Sequence, residues 1–114
     1  MQEEINSGYQ WEKFSSARSA LMLPHPRGES ESIAIAFHEC HHALHTLNRE
    51  LLDDTVRDWI QKVEDFMDTD GLLDPDGRGL WTVKADLLTE EQRFELSNTI
   101  DELASYFSRE FWSN

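Results

Sequence analysis

Residues 29–52 read ESESIAIAFHECHHALHTLNRELL. Wound at about 100° per residue, the stretch places Ile33, Phe37, Cys40, Leu44, Leu47 and Leu51 on one arc. His38, His41, His42 and His45 stand at i, i+3, i+4 and i+7, a second stripe centred about 140° from the first. An apolar arc facing away from a polar stripe predicts an amphipathic helix over Glu29–Leu51 with its histidines turned from the core. Glu31 and Arg49 extend the stripe, as on a solvated or partner-facing surface. Glu29 and Glu31 suit the positive end of the helix dipole.

The segments on either side keep the helical period, and nothing upstream of Glu29 alternates like a strand. A helix is predicted from Gly8 or Tyr9 to Met22, with Trp11, Phe14, Ala17 and Leu21 on its inner face. It stops before Leu23-Pro24, because a residue preceding proline avoids the helical region. Pro24 to Gly28 is a stiff connecting loop, and residues 1–7 read as a flexible polar arm. After a break at Leu52-Asp53-Asp54, where either aspartate can cap, Thr55–Asp68 is a third helix. Val56, Trp59, Ile60, Val63, Phe66 and Met67 line its apolar side. The short link predicts an antiparallel or sharply angled hairpin of the second and third helices.

Residues 69–88 read as a long irregular loop. Its Asp-Gly pairs fit turns, since neither register supplies the ligand set of an EF-hand. Within it, Leu80–Val83 suggests a short strand or apolar plug and Lys84–Leu87 one helical turn, with Leu72, Leu73, Leu80 and Trp81 covering an end of the bundle. Thr89-Glu90-Glu91-Gln92 has the S/T-x-x-Q form of a capping box and opens the last helix. Leu96, Ile100, Leu103, Ala104, Phe107 and Phe111 form its core arc. Phe94 and Trp112 fall off that arc and either pack against the first helix and the loop, the preferred placement, or help form an oligomer contact. The fold class is therefore all-α, a four-helix bundle of up-and-down topology, in one domain spanning residues 1–114.

The chain carries 23 acidic against 10 basic residues, a net charge of −13. Such a surface repels phosphate backbones and anionic lipid, which argues against direct nucleic-acid or membrane binding. A basic protein surface is the natural electrostatic partner. A single cysteine suits a reducing compartment. The first residues lack the basic and apolar regions of a secretory signal, and no apolar run approaches the roughly 20 residues of a membrane span. A cytoplasmic location is expected.

His38-Glu39-Cys40-His41-His42 spells H-E-x-x-H and resembles the motif helix of zinc metallopeptidases. The resemblance implies His38 and His42 as zinc ligands and Glu39 as general base, with Glu64 the best-spaced third ligand. It stops at those five residues: the glycine and the histidine of the longer metzincin pattern are absent downstream. A second reading keeps zinc and drops catalysis, with His38, His41, His42 and His45 as candidate metal ligands. A third takes the stripe as solvated or dimer-facing surface, where acidification would set four charged imidazoles against one another. Cys40, on the apolar arc, is expected to pack as a small hydrophobe.

The working expectation is a small acidic interaction or regulatory module, acting as a homodimer on a protein partner, without cofactor or catalysis. One alternative is the zinc protein or minimal zincin-like hydrolase. Another is an acidic mimic of nucleic acid, which requires Glu50, Asp53, Asp54, Asp58, Glu64, Asp65 and Asp68 to cluster on one surface.

Overall fold

The helical periods resolve into five α-helices in the computed structural model, which describes residues 7–25 and 27–113. They are α1 (Ser7–Ala20), α2 (Glu29–His45), α3 (Asp54–Met67), α4 (Leu80–Leu87) and α5 (Glu90–Trp112), with a 3-10 turn at Arg49–Leu51. No strand occurs among the described residues, and the helices pack as an all-α bundle. Of the expected N-terminal arm, residues 1–6 lie outside the described residues, and Ser7 already belongs to α1.

Packing follows the order α3, α5, α1, α2, α4, with lighter contacts of α3 to α4 and to α2. Sandwiched between two helices, α1 buries Phe14 and Ala17 completely, and Phe14 stacks on Phe107 of α5 at 5.6 Å between ring centres. Ile33, Ala36, Phe37, Cys40, Ala43 and Leu44 form the buried face of α2. Val56, Ile60 and Val63 do the same for α3, whose main partner is α5 rather than its chain neighbour α2. Each of these faces repeats at three- and four-residue steps, as an amphipathic helix must to bury one side.

The caps explain the boundaries. Asp53 accepts a hydrogen bond from the Val56 amide and starts α3. At α5 both bonds of the expected capping box form, Gln92 N–H to Thr89 Oγ1 at 3.1 Å and Thr89 N–H to Gln92 Oε1 at 2.8 Å. Two ends are capped instead by side chains from elsewhere in the chain. Gln10 Nε2 of α1 donates to the Ala43 carbonyl in the last turn of α2, and Trp81 Nε1 of α4 donates to the Met67 carbonyl that ends α3. Such last-turn carbonyls have no intrahelical donor, so each bond satisfies a group that would otherwise need water.

Three expectations are corrected. First, α2 ends at His45, short of Leu51, because the Asn48 side chain accepts from Glu50 N–H and starts the separate 3-10 turn. Leu47 is then half-buried and Leu51 exposed. Second, residues 80–87 are helical, not an extended plug. Asp74 gathers the Arg78 and Gly79 amides, both at 2.8 Å, and Gly79, at φ 97°, turns the chain into α4. Within the expected loop, irregular chain is thus reduced to residues 69–79 and Leu88, and Leu73 stands exposed instead of covering the bundle end. Third, Phe94 and Trp112 are each 69% exposed and Phe111 39%, so the last turn of α5 leaves the core. Trp112 does reach helix α1, packing edge-on against Trp11 at 5.8 Å.

Candidate functional site

Because the apolar face of α2 turns inward, His38, His41, His42 and His45 all emerge exposed on its outer side, as the helical arithmetic requires. Ile35, also exposed, stands on the same stripe. The stripe is not wholly open. Trp81 of α4 lies edge-on to the His38 ring at 4.7 Å and 5.8 Å from the His41 ring, while its other neighbour in α2 is Phe37 at 6.3 Å. His41 in turn stands 6.0 Å from both His42 and His45, measured between ring centres.

The elements of the zinc-hydrolase reading are engaged separately. Glu39 leans toward α1, where Lys13 Nζ stands 3.8 Å from its carboxylate. Glu64 is held by Arg49, whose two terminal nitrogens donate to its two oxygens at 2.7 and 2.6 Å. That fork satisfies the carboxylate in two parallel charge-assisted bonds, and it holds the guanidinium more firmly protonated than usual. Cys40 is fully buried, and burial, with Glu39 adding to it, pushes its thiol far above the ordinary range. A thiol so placed is a packing group and not a nucleophile. Among the described residues, no group of three or more His, Cys, Asp or Glu side chains is arranged to hold a metal ion.

α4 is attached to this region by polar ties as well as by Trp81. Ser30 of α2 donates to Asp86, Arg78 reaches the same carboxylate at 2.6 Å, and Arg93 joins Glu29 to the Ala85 carbonyl. The Ser30 hydroxyl first, and Arg78 second, hold the Asp86 carboxyl below its ordinary range. The tied helix leaves a groove of about 650 Å³ between the end of α2, the 3-10 turn and α3. Leu44, Met67 and Trp81 supply its apolar surface, His41 and His45 one wall, and Glu64, Asp65 and Asp68 the other.

The seven carboxylates required for charge mimicry have mixed duties. Asp53 caps α3, Asp54 pairs with Arg57 at 2.5 Å, Glu64 is held by Arg49, and Asp65 accepts from Gln61 at 2.9 Å. By helical arithmetic, Asp54, Asp58 and Asp65 share one outward line of α3. Glu50 lies on the separate 3-10 turn.

Sequence reasoning found the histidine stripe but missed two of its neighbours. The Arg49–Glu64 fork spans fifteen positions and has no local signal. Trp81 was detectable in principle, since Trp81, Ala85 and Leu88 stand at i, i+4 and i+7 beginning two residues after a glycine. No helix among the described residues is long and apolar enough to cross a membrane. No family model matches the chain, and neither curated proteins nor solved structures show a significant likeness to it.

Proposed function

We propose that this chain is a protein-interaction module whose partner presents a basic surface. The supporting observation is the pairing of a net charge of −13 with large apolar side chains left outside the core, among them Leu73, Leu87, Phe94 and Trp112. Apolar side chains supply contact area to a protein partner, while a one-signed surface steers and selects it. The dispersal of Glu39 and Glu64 to Lys13 and Arg49 favours this reading over zinc-dependent hydrolysis. A regulatory role, a cytoplasmic location compatible with one buried thiol, and self-association through the exposed end of α5 belong to the same proposal.

The experiment is a binding screen of the purified chain against immobilised peptides that vary net charge and apolar content independently. Tightest binding by peptides that are both basic and apolar, weaker binding by basic polar ones and none by acidic ones is the expected result. Peptide hydrolysis by the purified chain, abolished by Glu39→Gln, would overturn the proposal in favour of the metallohydrolase.

A further inference from the structure

From the groove between α2 and α3 we infer a docking site for a Lys- or Arg-bearing segment of a partner protein, its aliphatic portion on Leu44, Met67 and Trp81 and its cation on Asp65 and Asp68. The inference rests on the interaction reading above and adds the place and the chemistry of the occupant.

Charge decides the occupant. Two carboxylates of α3, Glu64 and Asp65, and that of Asp68 just after it border the groove, and the one guanidinium on its lining, Arg49, is committed to Glu64 through both terminal nitrogens. Asp65 and Asp68 have no cationic partner among the described residues. Each accepts one neutral donor, Asp65 from the Gln61 amide and Asp68 from the Asp70 backbone N–H. Their remaining oxygens suit an ammonium or guanidinium group.

The apolar portion is equally specific. Leu44 is buried, and Met67 and Trp81 are more than half buried, so an entering aliphatic chain meets a recessed surface rather than an isolated side chain. Trp81 is fixed by its bond to the Met67 carbonyl and by its edge contact with His38, which keeps the surface formed before a partner arrives. A preformed surface saves the ordering cost that a mobile side chain would impose on binding. Lysine and arginine match such a site because both carry an apolar stem beneath a charged head.

The test titrates the ¹⁵N-labelled full chain with a capped pentapeptide of alternating lysine and leucine. The same peptide with glutamate for lysine, and one with serine for leucine, serve as controls. Saturable shifts centred on the Trp81 indole N–H and the amides of residues 65–69 are expected with the lysine–leucine peptide. Weaker binding is expected for the serine control and none for the glutamate control. The double substitution Asp65→Asn, Asp68→Asn keeps one acceptor oxygen at each position for the Gln61 and Asp70 donors while removing both charges, and is expected to raise the dissociation constant about fivefold to tenfold. Saturable shifts on another face, or unchanged affinity in the double variant, overturn the groove and leave the interaction reading standing. Absence of saturable shifts anywhere overturns both.

Discussion

Trp81 Nε1 donates to the carbonyl oxygen of Met67 at 3.2 Å, so a side chain of α4 closes the C-terminal end of α3. The bond unites two elements that otherwise touch lightly. Trp81→Phe keeps a ring against Phe37 and His38 but leaves that carbonyl to solvent. The substitution should cost about 1–2 kcal/mol in urea unfolding, the range of a lost partly buried hydrogen bond with a modest loss of packing. It should also speed amide exchange in α4 more than in α5. Equal changes in the two helices would show that Trp81 does not hold α4 in place.

Gln10 presents the reverse balance of gain and cost. Its Nε2 reaches the Ala43 carbonyl at 2.9 Å, yet its Oε1 is buried without a partner and the residue is 1% exposed. Gln10→Ala removes the bond and leaves space, at a cost of about 1–3 kcal/mol. Gln10→Leu fills similar volume and removes the unsatisfied oxygen, so its expected effect lies within about 1 kcal/mol of wild type. Thermal unfolding of the two variants checks the order. Leucine proving the more damaging would mean that its branched side chain misfits the space Gln10 fills, or that water entering beside the smaller alanine recaps the Ala43 carbonyl.

The fork of Arg49 on Glu64 is expected to be modest in energy despite its geometry. Both side chains are more than a third exposed, so water screens the pair. A double-mutant cycle with Arg49→Ala and Glu64→Gln should give a coupling of about 0.5–1 kcal/mol. A coupling of several kcal/mol would place the pair in a far drier setting than its exposure indicates.

Asp86 sets a pH dependence whose sign follows from its two donors. The Ser30 hydroxyl and Arg78 lower its carboxyl in the folded chain, so the stabilisation is present above the unfolded value and fades as pH falls through the folded one. Urea midpoints measured from pH 6 to pH 3 should show wild type ahead of Asp86→Asn at the upper end, with the gap closing toward the lower end. A gap that stays constant would mean that the Ser30 and Arg78 contacts do not depend on the charge of Asp86.

What the sequence made legible was local. The capping box at Thr89-Gln92 formed as read, and of the two aspartates offered for α3 it is Asp53 that caps, because these partners lie within one turn. The outward direction of His38, His41, His42 and His45 followed from helical geometry alone. Features that depend on what lies across the bundle were hidden. The last turns of α2 and α3 take their capping donors from Gln10 and Trp81, which are 33 and 14 positions away. α4 was hard to see because it is short and carries exposed leucines at both ends, Leu80 and Leu87, which blur the contrast between its faces. The H-E-x-x-H spelling was accurate as a pattern, but the fate of Glu39 and Glu64 was fixed by Lys13 and Arg49, neither of which belongs to the motif.

The most direct test of the interaction reading is a calorimetric titration of the unmodified chain with the lysine–leucine pentapeptide at two salt concentrations. The account predicts saturable binding that weakens as salt rises, because charge selects the partner, and that persists in part at high salt, because apolar contact remains. No saturable binding at either salt concentration would contradict it.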